Sequence, residues 1–127
     1  MPLVRISHAA GKSAEAIGAL SKGVHQAMMD TFGVPAEDFW QIITEHAPHS
    51  GLIGPVSFLG IAHTTDLVFI QITCAEGRTL DQKKALYAAI ADKASKAACV
   101  RAEDIIINLT ETKRENWSFG NGLASFV

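Results

Sequence analysis

The chain has 127 residues, and its 11 lysines and arginines against 13 aspartates and glutamates give a formal charge of −2 with no basic tract. That balance excludes nucleic acid and anionic membrane surfaces as expected partners. Hydrophobic residues make up 48%, yet no run approaches the roughly 18 apolar residues of a membrane span, so the apolar surplus points to self-association of one domain covering 1–127.

Met1-Pro2-Leu3-Val4-Arg5 carries neither a basic n-region nor an apolar h-region with a small-residue cleavage site, and a cytoplasmic protein is expected. Cys74 and Cys99 are far apart, without CxxC spacing, and read as small buried thiols in a reducing compartment. Leu3, Val4 and Ile6 predict a short strand that Gly11-Lys12-Ser13 breaks. Ser13 is placed to cap a helix whose apolar positions Ile17, Leu20, Val24, Ala27 and Met28 recur at three and four. Gly33 and Pro35 end it, and a second strand is expected over 39–44.

Residues 47–66 set Gly51, Gly54, Pro55 and Gly60 among Val56, Phe58, Leu59 and Ile61, the composition of a loop with one short added strand. The plan then repeats. Residues 67–73 are a nearly continuous apolar strand, and Thr79 and Gln82 supply a capping box. Leu86, Ala89, Ile90, Ala94 and Ala97 form the next buried stripe, and 105–109 a closing strand. The tail 116–126 places Gly120-Asn121-Gly122 between apolar residues, a hairpin signal.

The two passes overlay without a gap at an offset of 66 residues: Val34-Pro35-Ala36-Glu37-Asp38 falls on Val100-Arg101-Ala102-Glu103-Asp104, and Gly11-Lys12-Ser13 on Gly77-Arg78-Thr79. The expected fold is therefore α+β. Duplicated β-α-β units at about 2–46 and 68–112 would form a four-stranded mixed sheet with two helices on one face.

Three residues stand out chemically. Pro2 follows the initiator methionine, and a small second residue normally permits removal of Met1, which would leave a prolyl secondary amine. An α-amino group titrates near about 7.7 to 8.0 in reference peptides, and its surroundings can tune it into a base, an acid or an iminium-forming nucleophile. Asp38 opens the second strand, which can neighbour the first, while its duplicate Asp104 suits a turn role. Arg78 precedes a helix amino terminus, where a guanidinium suits a carboxylate or phosphate, although Glu76 could pair with it. His46, His49 and His63 lie in a glycine-rich stretch without a convincing ligand set, so no metal is expected.

Pro2-Leu3, the Phe32-Gly33-Val34-Pro35 turn with Asp38 and Gln41, Gly77-Arg78-Thr79 with Gln82-Lys83, and Trp117-Ser118-Phe119-Gly120 together resemble the tautomerase superfamily, and within it the malonate semialdehyde decarboxylase group. The likeness runs over 2–126. It implies a cofactor-independent decarboxylase (lyase) or keto-enol tautomerase (isomerase) that acts on a small oxo-acid and assembles as a homotrimer. It also implies Pro2 as the catalytic amine, Asp38 beside it, Arg78 on the substrate carboxylate, and Trp117, Phe119 and Phe126 as the apolar wall. Members of the group can carry a second arginine where this chain has Glu76, a departure that bears on decarboxylation. The alternative reading is a non-catalytic ligand-binding or signalling module on the same fold.

Overall fold

The structure is a computed structural model that describes residues 1–98 and 100–127; Cys99, expected as a buried thiol, lies outside the described residues. Strand β1 (Pro2–Ala9) alternates by the period of two, with Pro2, Val4, Ile6 and His8 inward and Leu3 and Arg5 outward. Helix α1 (Ala14–Phe32) starts where the Ser13 hydroxyl accepts from the Ala16 amide at 3.1 Å. It stops at Gly33, whose φ of 66° lets its amide reach back to the Met29 carbonyl. Strand β2 (Trp40–His46) follows.

A two-stranded hairpin, β3 (Ser57–Phe58) and β4 (Ile61–Ala62), interrupts the repeat. Strand β5 (Val68–Ala75), helix α2 (Leu80–Ala98) and strand β6 (Ile105–Thr112) form the second unit. The capping box is made as expected: the Gln82 amide donates to the Thr79 hydroxyl at 3.2 Å, and the Thr79 amide donates to Gln82 Oε1 at 2.9 Å.

The sheet order is β2-β1-β5-β6. Within each unit the strands are parallel, while β1 and β5 meet antiparallel, which makes the sheet mixed. The two helices lie against one another and against Val4, Ile6, Val68, Ile70 and Ile72 in one core common to both units. The other face, carrying Leu3, Arg5 and Ile42, is covered by neither α1 nor α2 among the described residues.

Two details differ from the sequence expectation. The loop makes two strands that pair with each other, because Leu59 and Gly60 both adopt positive φ, 51° and 79°, as a two-residue hairpin turn requires. The tail turns but forms no hairpin ladder. Asn121 and Gly122 do take positive φ, and the Leu123 amide bonds the Gly120 carbonyl at 3.2 Å, but residues 124–127 then close a second turn instead of running back as a strand. Side-chain stacking of Trp117 and Phe119 takes the place of a backbone ladder.

Candidate active site

Register brings the chemistry to one end of the sheet. Pro2 lies opposite Cys74, Leu3 opposite Trp40, and Cys74 beside Glu111. The carboxyl end of α1 and the amino end of α2 meet the sheet there, since each helix runs back along the strand before it.

The amino terminus is held by Asp38. The Met1 ammonium lies 2.7 Å from Asp38 Oδ2, and both groups are largely sheltered. The second carboxylate oxygen is also engaged, because Trp40 Nε1 donates to Asp38 Oδ1 at 2.9 Å. Pro2, the next residue, is fully buried at the mouth of β1. Pro2 and Asp38, linked in the sequence only by inference, are thus neighbours in space.

The loop that carries Asp38 is itself tied down from α1. His25 is buried on the helix, its Nε2–H donates to the Ala36 carbonyl at 3.0 Å, and its ring lies 4.2 Å from that of Phe39. Ser21 and Gln41 add a hydroxyl-to-amide bond of 2.6 Å between the helix and β2.

Arg78 sits at the same end of the sheet but on the helix side. Nη1 donates to the Ala75 carbonyl at 3.0 Å, and the guanidinium carbon stands 4.9 Å over the Phe32 ring. One of five N–H donors is thereby used, and the others make no hydrogen bond among the described residues. The expected competition from Glu76 does not occur: among the described residues no carboxylate forms an ion pair with Arg78. Gly77, at φ 123°, turns the chain between the two, and the Glu76 amide is fixed to the Thr112 carbonyl at 2.9 Å. Burial raises the pKa of the Cys74 thiol; the Arg78 guanidinium opposes that rise, the Glu111 carboxylate adds to it, and the amino-terminal and Lys83 charges oppose it more weakly.

Two hollows open at this end of the sheet, one against Leu3 and one against Asp38. The larger, about 430 Å³, lies on the uncovered face among Leu3, Thr73, Thr112, Trp117 and Phe119. The smaller, about 230 Å³, is lined by Glu37, Asp38, Ser125 and Phe126. Trp40 and Phe119 line both and stand between them, with ring centroids 5.4 Å apart. Trp117 stacks parallel on Phe119, its indole N–H given to Thr112 Oγ1 at 2.8 Å, and Phe126 meets Phe119 edge-on. Trp117, Phe119 and Phe126, expected as a wall of the pocket, thus lie against one another. Pro2 and Arg78 line neither hollow, so a substrate touching both would have to bridge the end of the sheet.

His46, His49 and His63 do not gather into a ligand set with other side chains among the described residues. Trp40 and His25 were not anticipated. The i, i+2 spacing of Asp38 and Trp40 at a strand mouth is the signal that would have found the first, and a histidine flanking the apolar stripe of α1 the second.

A family profile described as Tautomerase enzyme matches residues 38–120, and a second of the same description matches residues 2–59. The chain is 36% identical over 127 residues to "Probable tautomerase YusQ" of Bacillus subtilis (strain 168), covering all of this chain and 99% of that protein. Among solved structures it resembles FG41 malonate semialdehyde decarboxylase inhibited by 3-bromopropiolate, at TM-score 0.91 and 32% identity over 98% of this chain and 93% of that one. A malonate semialdehyde decarboxylase described for its decarboxylase and hydratase activities superposes at TM-score 0.87 and 28% identity, covering 98% and 95%.

Proposed function

The chain belongs to the tautomerase family, and on that premise we propose that it is a cofactor-independent enzyme that works on small oxo-acids through the Pro2 amine, as a homotrimer. Its reaction is decarboxylation of malonate semialdehyde or keto-enol tautomerisation of a 2-oxo acid. The observation that carries this reading is the 2.7 Å contact between the amino-terminal ammonium and Asp38. Loss of Met1 moves the chain's α-amino group by one residue, to the Pro2 nitrogen at the same strand mouth.

The chemistry follows from charge. Arg78 takes the substrate carboxylate, and cationic Pro2 donates a hydrogen bond to the carbonyl oxygen. In decarboxylation the bond from the α-carbon to the carboxyl carbon breaks, carbon dioxide leaves, and the electron pair passes into the polarised carbonyl as an enolate. A proton delivered to the α-carbon then completes the aldehyde. In tautomerisation the uncharged Pro2 amine takes the proton from that carbon in place of the loss of carbon dioxide, and the electron pair passes into the same carbonyl. The prolyl ammonium so formed returns the proton to the enolate oxygen. Asp38 holds the ammonium in place, and the aromatic wall lowers the local dielectric.

Intact mass comes first, because a retained Met1 blocks the amine. In the processed protein, Pro2→Ala keeps an amine but makes it primary, and turnover of malonate semialdehyde or a 2-oxo acid is expected to fall about 10²- to 10⁴-fold. Full activity in that variant overturns the role of Pro2. Saturable binding of the oxo-acids by the wild type without turnover would favour a ligand-binding module instead.

A further inference from the structure

We propose that Trp40 is the positioning residue for Asp38, and that the indole works as a latch between the amine and the aromatic wall. This rests on the reading of Pro2 and Asp38 as partners. A carboxylate at a strand mouth can rotate, and either oxygen could face the amine. Here the choice is fixed: Oδ1 accepts from Trp40 Nε1 at 2.9 Å, which leaves Oδ2 to the amino terminus at 2.7 Å. Trp40 is 44% exposed, so burial alone does not hold its ring. What holds it is the Asp38 bond on one side and the Phe119 ring, 5.4 Å away, on the other. Phe119 in turn is stacked on Trp117 and met by Phe126.

The indole also separates the larger hollow from the one that contains Asp38. Trp40 therefore has two separable functions. Its N–H orients the carboxylate, and its ring forms the partition that a substrate packs against.

Trp40→Phe keeps a ring against Phe119 and removes only the donor. A donor to an ionised group is worth up to about ten- to hundredfold, so kcat is expected to fall by up to about that factor while KM stays within about twofold. Trp40→Ala is expected to raise KM as well. Because the donor acts through Asp38, Trp40→Phe in an Asp38→Asn background should change kcat by less than about twofold, and the split between kcat and KM in the single variant is what a purely structural role does not produce. Wild-type kcat in Trp40→Phe, or full additivity with Asp38→Asn, overturns the proposal. Pro2→Ala is run in parallel: an active Pro2→Ala enzyme defeats the proposed function, whereas an inactive one beside an unimpaired Trp40→Phe defeats only the latch. A readout that needs neither turnover nor a Trp40 variant is the indole N–H resonance of Trp40, one of only two tryptophans. It should move and exchange faster with solvent in Asp38→Asn, and an unmoved resonance equally overturns the latch.

Discussion

Glu76 and Asp104 are two carboxylates in very different settings, one exposed beside Arg78 and one buried at the far end of the sheet. Glu76 is exposed and unpaired with Arg78, so its effect on a bound carboxylate is a field effect at a distance, screened by salt. Glu76→Gln is expected to lower KM for an oxo-acid several-fold at low ionic strength, with the advantage shrinking as salt is added; a KM indifferent to both changes would remove Glu76 from the site. Asp104 has the opposite situation. It is fully buried, and its two oxygens accept the Thr64 amide at 2.8 Å and the Thr64 hydroxyl at 2.5 Å. The aspartate that holds the amino terminus in the first unit holds an internal loop in the second. Sequence identity of the two turns made their equivalence legible, but not this divergence, because the partner of Asp104 lies 40 residues away in a segment with no counterpart in the repeat.

At the scale of elements, what the sequence disclosed well were the features made by near neighbours: the Ser13 cap, the Thr79 and Gln82 box, the stop at Gly33 and the buried stripes of both helices. Strand ends were less legible, since β2 runs to His46 and β6 to Thr112, past the apolar residues that mark them, where pairing rather than composition keeps the strand going. One such extension has an energetic role. Glu111, near the end of β6, meets Lys83 of the first turns of α2 at 2.5 Å. That bond lowers the pKa of the Glu111 carboxyl and raises that of the Lys83 ammonium. A lowered carboxyl favours the fold above its ordinary value and loses that contribution as pH falls through the folded value. The raised lysine contributes below its ordinary value and loses its share as pH rises through the folded one. Glu111→Gln is therefore expected to flatten the acid limb of the Tm profile, between about pH 5 and pH 3, and to leave Tm changes between pH 6 and 8 nearly parallel to wild type. An acid limb identical to wild type would show that the pair contributes nothing.

For the whole molecule, the question is what covers the uncovered sheet face and the hairpin. Ile42 and Phe58 are 41% and 60% exposed, and Leu59 at the hairpin tip is 84% exposed while holding a positive φ that costs a leucine strain. A two-stranded hairpin of two-residue strands is not stable by itself; here Phe58, Leu59 and Ile61 share an apolar hollow with Phe69 and Ile106 of the sheet, and the tip still stands in solvent. Were a neighbouring subunit of the proposed trimer to cover the tip, burial of its leucine would contribute about 1.5 to 3 kcal/mol. Asparagine tolerates the left-handed conformation, so Leu59→Asn relieves on the order of 1 kcal/mol of backbone strain. The two terms predict opposite signs. In a trimer the lost burial outweighs the relief, and Leu59→Asn should shift the assembly toward smaller species in sedimentation velocity and lower Tm in a concentration-dependent way. In a solitary subunit only the relief remains, and the same substitution would raise Tm at every concentration. The sign of the Tm change thus decides whether the hairpin tip is an assembly contact.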